Sequence, residues 1–459
     1  MIRFLPFILM CTGVAYASSA DSARVTQFTV VESLDIAEVP AGFPVQFCLL
    51  TEGQRQYVGY FDSHRRLTVA SRWLDSSQWQ YQVLPSSVGW DSHNYITMAV
   101  DREGHLHVSG NMHCVPLIYF RTQIPGNIQT LQRLDMTGQQ EQRTTYPRFL
   151  TDADGELIFH YRSGSSGNGM RLFNRYHRPS QTWSRLLEKP LLDGQGQRNA
   201  YPSGPGRGPD GWFHMDWVWR DTSDCATNHH LSYARSRDLV HWESASGKQV
   251  TLPILLDDQS LWVDPIPSGG GIINGCQKLF VDADNRPILA YHKADTDGNM
   301  QIYATRFQRG EWKQHRLTNW DKSVPFGGGG SMGFIGISIS GLSRQAPGVL
   351  SMTCRHRDYG SRRLVIDEET LTLINRTVSV LPKYPWTLNH MRSDFEGMRI
   401  RRATDSGQPN ANVHYILQWE TLGRNFDRPR KPPLPAPAML RLHKLSATQA
   451  VAAREKQRE

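Results

Sequence analysis

Cysteine is scarce in this chain of 459 residues. There are six cysteines, and one of them, Cys11, lies in an apolar run at the amino terminus. The other five are an odd number and are widely spaced, which excludes a dense disulfide scaffold. A single disulfide, or thiolates committed to a metal ion, is the more natural use of these residues.

Long apolar runs are missing beyond the first twenty residues, which argues against a membrane-spanning helix in the rest of the chain. The opening residues, MIRFLPFILMCTGVAYASSA, combine an early Arg3, an apolar run and the small residues Ala15 and Ala17. This pattern predicts a secretory signal peptide over residues 1–17. We therefore expect an exported protein, secreted or periplasmic, with no membrane insertion.

Familiar catalytic and nucleotide-binding motifs are also missing. There is no HExxH sequence and no widely applicable Ser-His-Asp order. The stretches 163–169 and 203–211 are rich in glycine, but neither has the strand-loop-helix context of a phosphate-binding loop. The sequence therefore gives no support to a zinc protease, a serine hydrolase or a nucleotide-binding enzyme.

Aromatic residues and positive charge are abundant. The chain has 13 Trp, 16 Tyr and 17 Phe, and 39% of its residues are hydrophobic, which predicts a real core. Its net charge of +8 and isoelectric point near 9.2 favour anionic partners. Nucleic acid, an acidic polysaccharide and an anionic membrane surface all qualify, but the predicted signal peptide disfavours nucleic acid.

A hairpin of two apolar strands around an Asp-containing turn recurs along the chain. Its copies are VDREGHLHVSG at 100–110, TDADGELIFHYR at 151–162, GPDGWFHMDWVWR at 208–220 and VDADNRPILAYHK at 281–293. The unit returns about every 50–75 residues with about four strands, as in propeller blades. Five blades are clear, and residues 330–378 and 394–422 are weaker candidates for two more.

We therefore predict an all-β fold, a seven-bladed β-propeller formed as a single catalytic domain over residues 18–433. A two-domain β-sandwich protein is the structural alternative, and the internal repetition argues against it. Residues 434–459 are predicted to be a C-terminal tail, which follows a proline-rich strap from Arg428. The last stretch, SATQAVAAREKQRE, is expected to be frayed or helical.

The hairpin within residues 144–169 places Tyr146 near the start of one strand and Arg162 near the end of the next. These two positions lie side by side in a hairpin. A guanidinium beside a phenol lowers the phenol pKa, which suits a proton-transfer pair. The alternative is a buried tyrosine that is hydrogen-bonded to a structural arginine.

Equivalent positions in the other hairpins converge on one face. Tyr95, Tyr201 and Cys276 align with Tyr146, whereas Arg220 and His292 align with Arg162. In the same way His93 and His113 bracket the preceding hairpin and should face each other at the same end. A histidine titrates near neutral pH and can serve as a base or an acid.

Cysteine and histidine residues from adjacent repeats predict a metal site on this face. The candidate ligands are Cys225, His229, Cys276 and His292, a set that suits a tetrahedral zinc ion with a structural role. Whether His229 or His230 ligates stays open, and the alternative is two free thiols with satisfied histidines.

Taken together, these residues resemble a known family. The segments HNY, VDREGHLHVSGNMH, TYPRF, YRSGSSGNG, WVWRDTSDCATNHHLSYARSRDLVHW and ILAYHKAD are similar to secreted propeller proteins with BNR-like repeats. Within those, the chain most resembles the seven-bladed ulvan lyases of marine bacteria, over roughly residues 40–420. The resemblance implies β-elimination at the uronate C4–O bond of ulvan, a sulfated rhamnose–uronate polymer, which leaves unsaturated uronyl ends.

The resemblance also implies roles for individual residues. His93, His113, Tyr146 and Arg162 would be catalytic, with Arg162 on the uronate carboxylate and with His93 and Tyr146 dividing base and acid work. A further tyrosine of that family would fall near Tyr201, and we expect Tyr201, Arg220, Asn94 and Tyr95 to bind the substrate. The partner would be the anionic sulfated polysaccharide, bound by a monomer.

Two other functions fit a protein of this kind. A sialidase-like glycoside hydrolase would need a pair of acidic residues or a tyrosine nucleophile, and we expect no acidic pair at the predicted face. A carbohydrate-binding propeller without activity would lose little from removal of the Tyr146 hydroxyl.

Overall fold

The computed structural model describes residues 25–375, 384–407 and 412–450. The predicted signal peptide and the last nine residues of the predicted tail lie outside this part of the chain. Among the described residues, no helix is long and apolar enough to cross a membrane. The fold is all-β, as predicted, with short 3-10 helices at Ile128–Thr130, Cys225–Thr227, Gln259–Leu261 and Trp386–Asn389.

The strands of the first half of the chain are short, and most are joined by tight turns. They are β1 (Val25–Val39), β2 (Cys48–Glu52), β3 (Arg55–Phe61), β4 (Arg66–Trp73), β5 (Gln80–Ser87), β6 (Ile96–Val100), β7 (Leu106–Gly110), β8 (His113–Val115), β9 (Tyr119–Thr122), β10 (Leu131–Arg133), β11 (Thr144–Thr151), β12 (Leu157–Ser165), β13 (Asn168–His177), β14 (Thr182–Arg185), β15 (Leu192–Asp193), β16 (Asn199–Arg207) and β17 (Phe213–Arg220).

The second half continues in the same way. Its strands are β18 (Asn228–Ser236), β19 (Trp242–Glu243), β20 (Trp262–Asp264), β21 (Lys278–Val281), β22 (Pro287–Ala294), β23 (Met300–Gln308), β24 (Glu311–Arg316), β25 (Ile337–Ile339), β26 (Ser343–Ala346), β27 (Val349–His356), β28 (Gly360–Asp367), β29 (Arg399–Thr404), β30 (Val413–Thr421) and β31 (Ala438–Ala450).

These strands form seven antiparallel sheets. In chain order, the sheets consist of β2 to β5, then β6 with β7, β9 and β10, then β8 with β11 to β15, then β16 to β20, β21 to β24, β25 to β28, and finally β29, β30, β31 and β1. The first and last strands of the described chain therefore share a sheet. A parallel bridge from Leu49 to Asp405 joins this last sheet to the first.

An aspartate fixes the turn of each predicted hairpin. In the turn between β11 and β12, Asp152 Oδ1 accepts hydrogen bonds from the backbone N–H groups of Asp154 and Glu156, at 3.0 and 2.8 Å. Asp101 and Asp282 do the same in their turns. The Asp side chain thus satisfies turn N–H groups that the strand ladder leaves unpaired, which is why the pattern was readable in the sequence.

Large apolar side chains fill the space between the sheets. Every residue of β17 is buried, including Trp217 and Trp219, as expected for a strand that is covered on both faces. Between the first and last sheets, the rings of Phe47 and Trp419 lie 4.6 Å apart. The core therefore runs without a break across the junction of the two ends of the chain.

The predicted tail is part of this architecture. β31 starts at Ala438 and pairs along its length with β1, and it also pairs with β30. The expectation of a frayed or helical end is therefore wrong as far as Ala450. Only the preceding segment, about residues 422–437, crosses the surface without strand structure.

Candidate active site

Tyr146 sits at an irregularity in its hairpin. Thr145 of β11 pairs with Arg162 of β12, and the register then shifts before Arg148 pairs with His160. Tyr146 lies in this bulge with a φ of 58°, a left-handed conformation that is strained for a tyrosine. A bulge turns the side chain out of the regular alternation of the strand. Strained backbone of this kind is found most often at functional sites.

Arg162 lies next to Tyr146, as the hairpin predicted, with its Cζ 5.0 Å from the centre of the tyrosine ring. Its Nη2 donates to Thr145 Oγ1 at 2.9 Å and to Cys114 Sγ at 3.2 Å. Only 2% of Arg162 is exposed, and its Nε and Nη1 have no hydrogen-bond acceptor among the described residues. Orphaned buried donors are rare in proteins and call for a ligand or solvent partner.

The direction of the Tyr146 pKa differs from the prediction. Burial raises it well above its usual value, and the nearby charge of Arg162 offsets only part of this rise. The expected lowering is therefore wrong, because removing the phenolate from water costs more than one guanidinium returns. Tyr146 stays protonated at neutral pH and is suited to donate a proton.

His93 and His113 meet on one carboxylate. Asp91 Oδ1 is 2.7 Å from His93 Nδ1, and Asp91 Oδ2 forms a short hydrogen bond with His113 Nδ1. The two imidazole centroids are 4.3 Å apart, and the His93 ring lies 5.9 Å from the ring of Tyr146. The predicted convergence of the two histidines and Tyr146 is thus present, with Asp91 as the group that holds the histidines.

A second carboxylate comes from the segment that follows β30. Asp427 Oδ2 is 3.2 Å from His93 Nδ1 and accepts the Ser331 backbone N–H at 2.7 Å. Asp427 Oδ1 accepts the Ser92 backbone N–H at 3.1 Å. The expectation that no acidic pair lies at this face is therefore wrong. Asp91 could have been noticed two residues before His93, whereas nothing in the sequence marks Asp427.

The two carboxylates control the charge of His93. Burial lowers the pKa of His93, but hydrogen bonds and charges from Asp427 and Asp91 outweigh burial and raise it to about 9. Burial raises the pKa of Asp91, yet its bonds to His113 and His93 hold it well below its usual range. Asp91 is therefore an ionised carboxylate, and it faces His93, which deprotonates only in mildly alkaline solution.

Two of the four expected substrate-binding residues, Tyr201 and Arg220, lie close to Tyr146. The ring of Tyr201 is 6.3 Å from the ring of Tyr146, and its hydroxyl donates to Ser166 Oγ at 3.0 Å. Arg220 stacks on Tyr201 at 5.4 Å, but its Nε is committed to backbone carbonyl groups of its own loop. It therefore supports Tyr201 and keeps little donor capacity for a ligand.

Asn94 and Tyr95 follow His93 in the same loop. The Oδ1 atom of Asn94 is buried and has no hydrogen-bond partner among the described residues. Burial raises the pKa of Tyr95, which the charges of Arg148 and Arg171 partly offset. Asn94 thus has an unused acceptor close to the histidines, whereas Tyr95 is held against two arginines of the next sheet.

The predicted zinc site does not assemble. Cys225 Sγ contacts Met332 Sδ at 3.2 Å, and His229 bonds to Asp221 at 3.0 Å. Cys276 pairs instead with His292, whose Nδ1 is 2.9 Å from Gly271 O. No three of the four predicted ligands have donor atoms within 4.8 Å of one another, so the four side chains as placed do not form a ligand set.

A different group of donors could hold a metal ion. Asp91, His93 and His113 have donor atoms within 4.8 Å of one another, the one such group found among the described residues. The Asp91–His93 separation of 2.7 Å is that of a hydrogen bond. Two ligands of a tetrahedral zinc ion stand about 3.3 Å apart, given bonds of about 2.0–2.1 Å. As placed, the three side chains bond to each other.

Comparison with known proteins agrees with the repeat pattern and the fold. The family model for BNR repeat-containing proteins matches residues 55–320, more than half of the chain. The chain therefore belongs to this family of all-β repeat proteins.

Among its curated relatives are ulvan lyases, which confirms the resemblance inferred from the sequence. The short isoform from Alteromonas sp. (strain LOR) is 26% identical over 193 residues, 38% of this chain and 36% of that protein. The long isoform from Glaciecola sp. (strain KUL10) is 49% identical over 46 residues, 10% of this chain and 5% of that protein. The chain thus matches only about a third, or less, of these relatives' length.

Solved structures of similar fold include two polysaccharide lyases. The polysaccharide lyase Uly1 superposes with a TM-score of 0.60 at 14% identity, covering 91% of this chain and 99% of that one. A PL25 ulvan lyase bound to -[GlcA(1-4)Rha3S]- gives a TM-score of 0.56 at 14% identity, covering 86% and 94%. At this identity the likeness establishes a shared fold.

Proposed function

We propose that this protein is a polysaccharide lyase that cleaves ulvan by β-elimination at the uronate C4–O bond. The observation that carries the proposal is the placing of His93 and Tyr146, with ring centres 5.9 Å apart, beside the guanidinium of Arg162. The ulvan lyases among the relatives, and the ulvan fragment bound to one structural neighbour, support this substrate.

The reaction needs two proton transfers and no external reactant. A base removes the proton at C5 of the uronate, and the electron pair left behind forms a double bond between C4 and C5. The C4–O bond breaks, and an acid protonates the oxygen that leaves. A positive group near the uronate carboxylate stabilises the negative charge that develops there.

We assign the base to His93 and the acid to Tyr146. Of the two groups, His93 has the lower pKa, about 9, and so it is the first to become a base as the pH rises. Asp91 and Asp427 both accept at Nδ1, which leaves Nε2 as the nitrogen that can take the C5 proton. Burial keeps Tyr146 protonated until the leaving oxygen needs its proton.

Arg162 is assigned to the uronate carboxylate. Its buried Nε and Nη1 have no protein acceptor among the described residues, and a carboxylate that reached past the Tyr146 ring would satisfy both. His113 is held by Asp91 beside His93 and would contact the same sugar. Tyr201, with Arg220 behind it, and Asn94 and Tyr95 would line the walls of this subsite.

The same proposal includes the architecture and the location of the protein. The seven sheets would close into a seven-bladed β-propeller sealed by the pairing of β1 with β31, so that the propeller would extend past the predicted boundary at residue 433 to Ala450. Residues 1–17 would direct export, so that a monomer meets its anionic polymer outside the cytoplasm. This arrangement is consistent with the fold shared with the polysaccharide lyases.

A glycoside hydrolase is the second candidate, because Asp91 and Asp427 form a carboxylate pair at the site. A hydrolase needs one carboxyl group with a raised pKa to protonate the leaving group. Both of these carboxyl groups instead have lowered pKa values, since both accept hydrogen bonds from His93. We therefore favour the lyase.

The test is ultraviolet absorbance of the unsaturated product, with purified protein and ulvan. Wild type should produce rising absorbance, and Tyr146→Phe should lower kcat by about 10²–10⁴-fold, the usual contribution of a catalytic proton donor. Tyr81→Phe, which removes the hydroxyl that a half-exposed tyrosine donates to Ile36 O, is the matched control.

Each other outcome has a distinct meaning. Absorbance that survives Tyr146→Phe would keep the lyase and refute the assigned acid. Release of reducing ends from ulvan or from other uronate polymers, without any unsaturated product, would establish the hydrolase.

A further inference from the structure

A second cleft with basic walls lies between the start of β29 and the segment after β30. Its volume is about 600 Å³, and its lining includes Phe395, Arg399, Leu422, Arg424, Arg430 and Pro433. An adjoining cavity of about 340 Å³ shares Phe395 and Arg430 and adds Lys431. We name this continuous space the arginine cleft, after Arg399, Arg424 and Arg430.

The three arginines have no acidic partner within the described parts of the chain. Arg430 donates to Gly42 O at 3.1 Å and to Gly423 O at 2.9 Å, which fixes its position without neutralising its charge. Arg424 has one long bond, to Met332 O at 3.4 Å. The exposed Glu396 is the single acidic residue in the lining, and it forms no ion pair with any of the three.

A fourth arginine, Arg401, adds positive charge next to the arginine cleft. Arg401 lies two residues beyond Arg399 in β29, and therefore on the same face of the strand. Its Nε is buried without a hydrogen-bond partner in the described chain. Burial, and then the charge of Arg424, lower the pKa of Arg401. Crowded like charges of this kind are relieved by a bound anion.

The cleft is joined to the candidate active site by a short peptide. Arg424 and Arg430 stand three residues before and after Asp427, whose carboxylate is 3.2 Å from His93 Nδ1. Three residues of extended chain span at most about 11 Å. A polymer that occupies the space beside His93 could therefore also reach the arginine cleft.

We propose that the arginine cleft is a distal subsite that binds an anionic sugar of the substrate polymer. This inference rests on the proposed function and names a part of the binding site beyond the scissile bond. The planar guanidinium groups of Arg399 and Arg424 match the oxygens of a sulfate or a carboxylate. Phe395 and Pro433 supply apolar surface for the face of the sugar ring.

The test removes the two exposed charges with Arg399→Gln and Arg424→Gln in one protein. The Arg399 side chain has no hydrogen bond within the described chain and the Arg424 side chain has only the long one, so folding should be unaffected. The control is Arg133→Gln with Arg363→Gln, two exposed arginines outside the cleft that likewise lack ion pairs. Both double variants lose the same net charge.

The readouts are KM on ulvan, KM on short ulvan oligosaccharides, and binding of uncut ulvan in gel electrophoresis on the Tyr146→Phe background. Loss of two exposed charge contacts should raise KM on the polymer about tenfold and weaken binding by a similar factor. Turnover should stay unchanged for oligosaccharides that are too short to span both the candidate active site and the arginine cleft. The control variant should behave as wild type in every assay.

Several outcomes separate this inference from the proposed function. Equal polymer KM and equal binding in the cleft variant and wild type would overturn the subsite and leave the lyase intact. Weaker binding in the cleft variant of a protein that never forms product would support the subsite and refute the lyase. A loss confined to sulfated ulvan would identify sulfate as the ligand group, whereas an equal loss with desulfated polymer would identify the carboxylate.

Discussion

Asp91→Asn removes a negative charge from between two imidazoles while it keeps the shape of the side chain. In the native protein, Asp91 and Asp427 together raise the pKa of His93 from 6.5 to about 9. The net rise is about 2.5, and because burial lowers this pKa, the loss of one of the two carboxylates should reverse at least roughly half of the net rise. We expect a fall of about one unit, which corresponds to about 1.4 kcal/mol.

This shift has a definite sign in the pH profile of activity. If neutral His93 is the base, kcat/KM rises with pH through about 9 in wild type. In Asp91→Asn the same rise should occur about one pH unit lower. The plateau should fall by about tenfold or more, because Asp91 holds His93 with one oxygen and His113 with the other, whereas asparagine keeps only one oxygen acceptor and the orientation of one imidazole is lost.

His93 and Asp91 also make the stability of the folded protein depend on pH. Because the folded pKa of His93 is raised, its contribution is fully present below about pH 6.5 and is lost as the pH rises through about 9. Because the folded pKa of Asp91 is lowered, its contribution is present above about pH 4 and is lost on acidification. The destabilisation caused by Asp91→Asn should therefore be largest between about pH 4 and 6.5.

The assay is kcat/KM from product absorbance between pH 6 and 10, with thermal unfolding at pH 6 and pH 10. Asp75→Asn, an exposed aspartate without an ion pair, serves as the control. An activity profile that stays in place, or that moves to higher pH, would refute the assignment of His93 as the base. Equal melting temperatures of variant and wild type at pH 6 would refute the ion pair.

Two further predictions test the turns and the metal. Asp152→Ala should destabilise the protein by about 2–4 kcal/mol, because the buried carboxylate accepts two turn N–H groups and pairs with Arg175 at 2.8 Å. Denaturant unfolding measures this loss of stability. The control is Asp154→Ala, which changes an exposed residue of the same turn and should have little effect. Added Zn²⁺ should inhibit the activity, because Asp91, His93 and His113 would bind the ion and lose the hydrogen bonds that orient His93. Mg²⁺ prefers oxygen ligands and should not inhibit. EDTA alone should leave activity unchanged, and a loss of activity that Zn²⁺ restores would contradict the hydrogen-bonded arrangement.

The sequence by itself determined the all-β fold and the local pairs of the site. Asp turns between apolar strands are short-range signals, and a hairpin register places Tyr146 beside Arg162 whatever the rest of the chain does. The same reasoning brought His93 and His113 to one end of a hairpin. These contacts were predictable because few residues separate the partners and the strand pairing fixes their distance.

Only the tertiary structure decided which groups act on those pairs. Asp427 reaches His93 from the far end of the chain, and the arginine cleft forms where that segment crosses the start of β29. Burial reversed the expected direction of the Tyr146 pKa. The hairpin alignment predicted the zinc ligands on one face, yet a metal needs donors within a few ångströms, and packing between sheets sets that distance. Hydrophobic periodicity places a residue on a face, whereas the packing of one sheet against another sets its neighbours and its exposure to water.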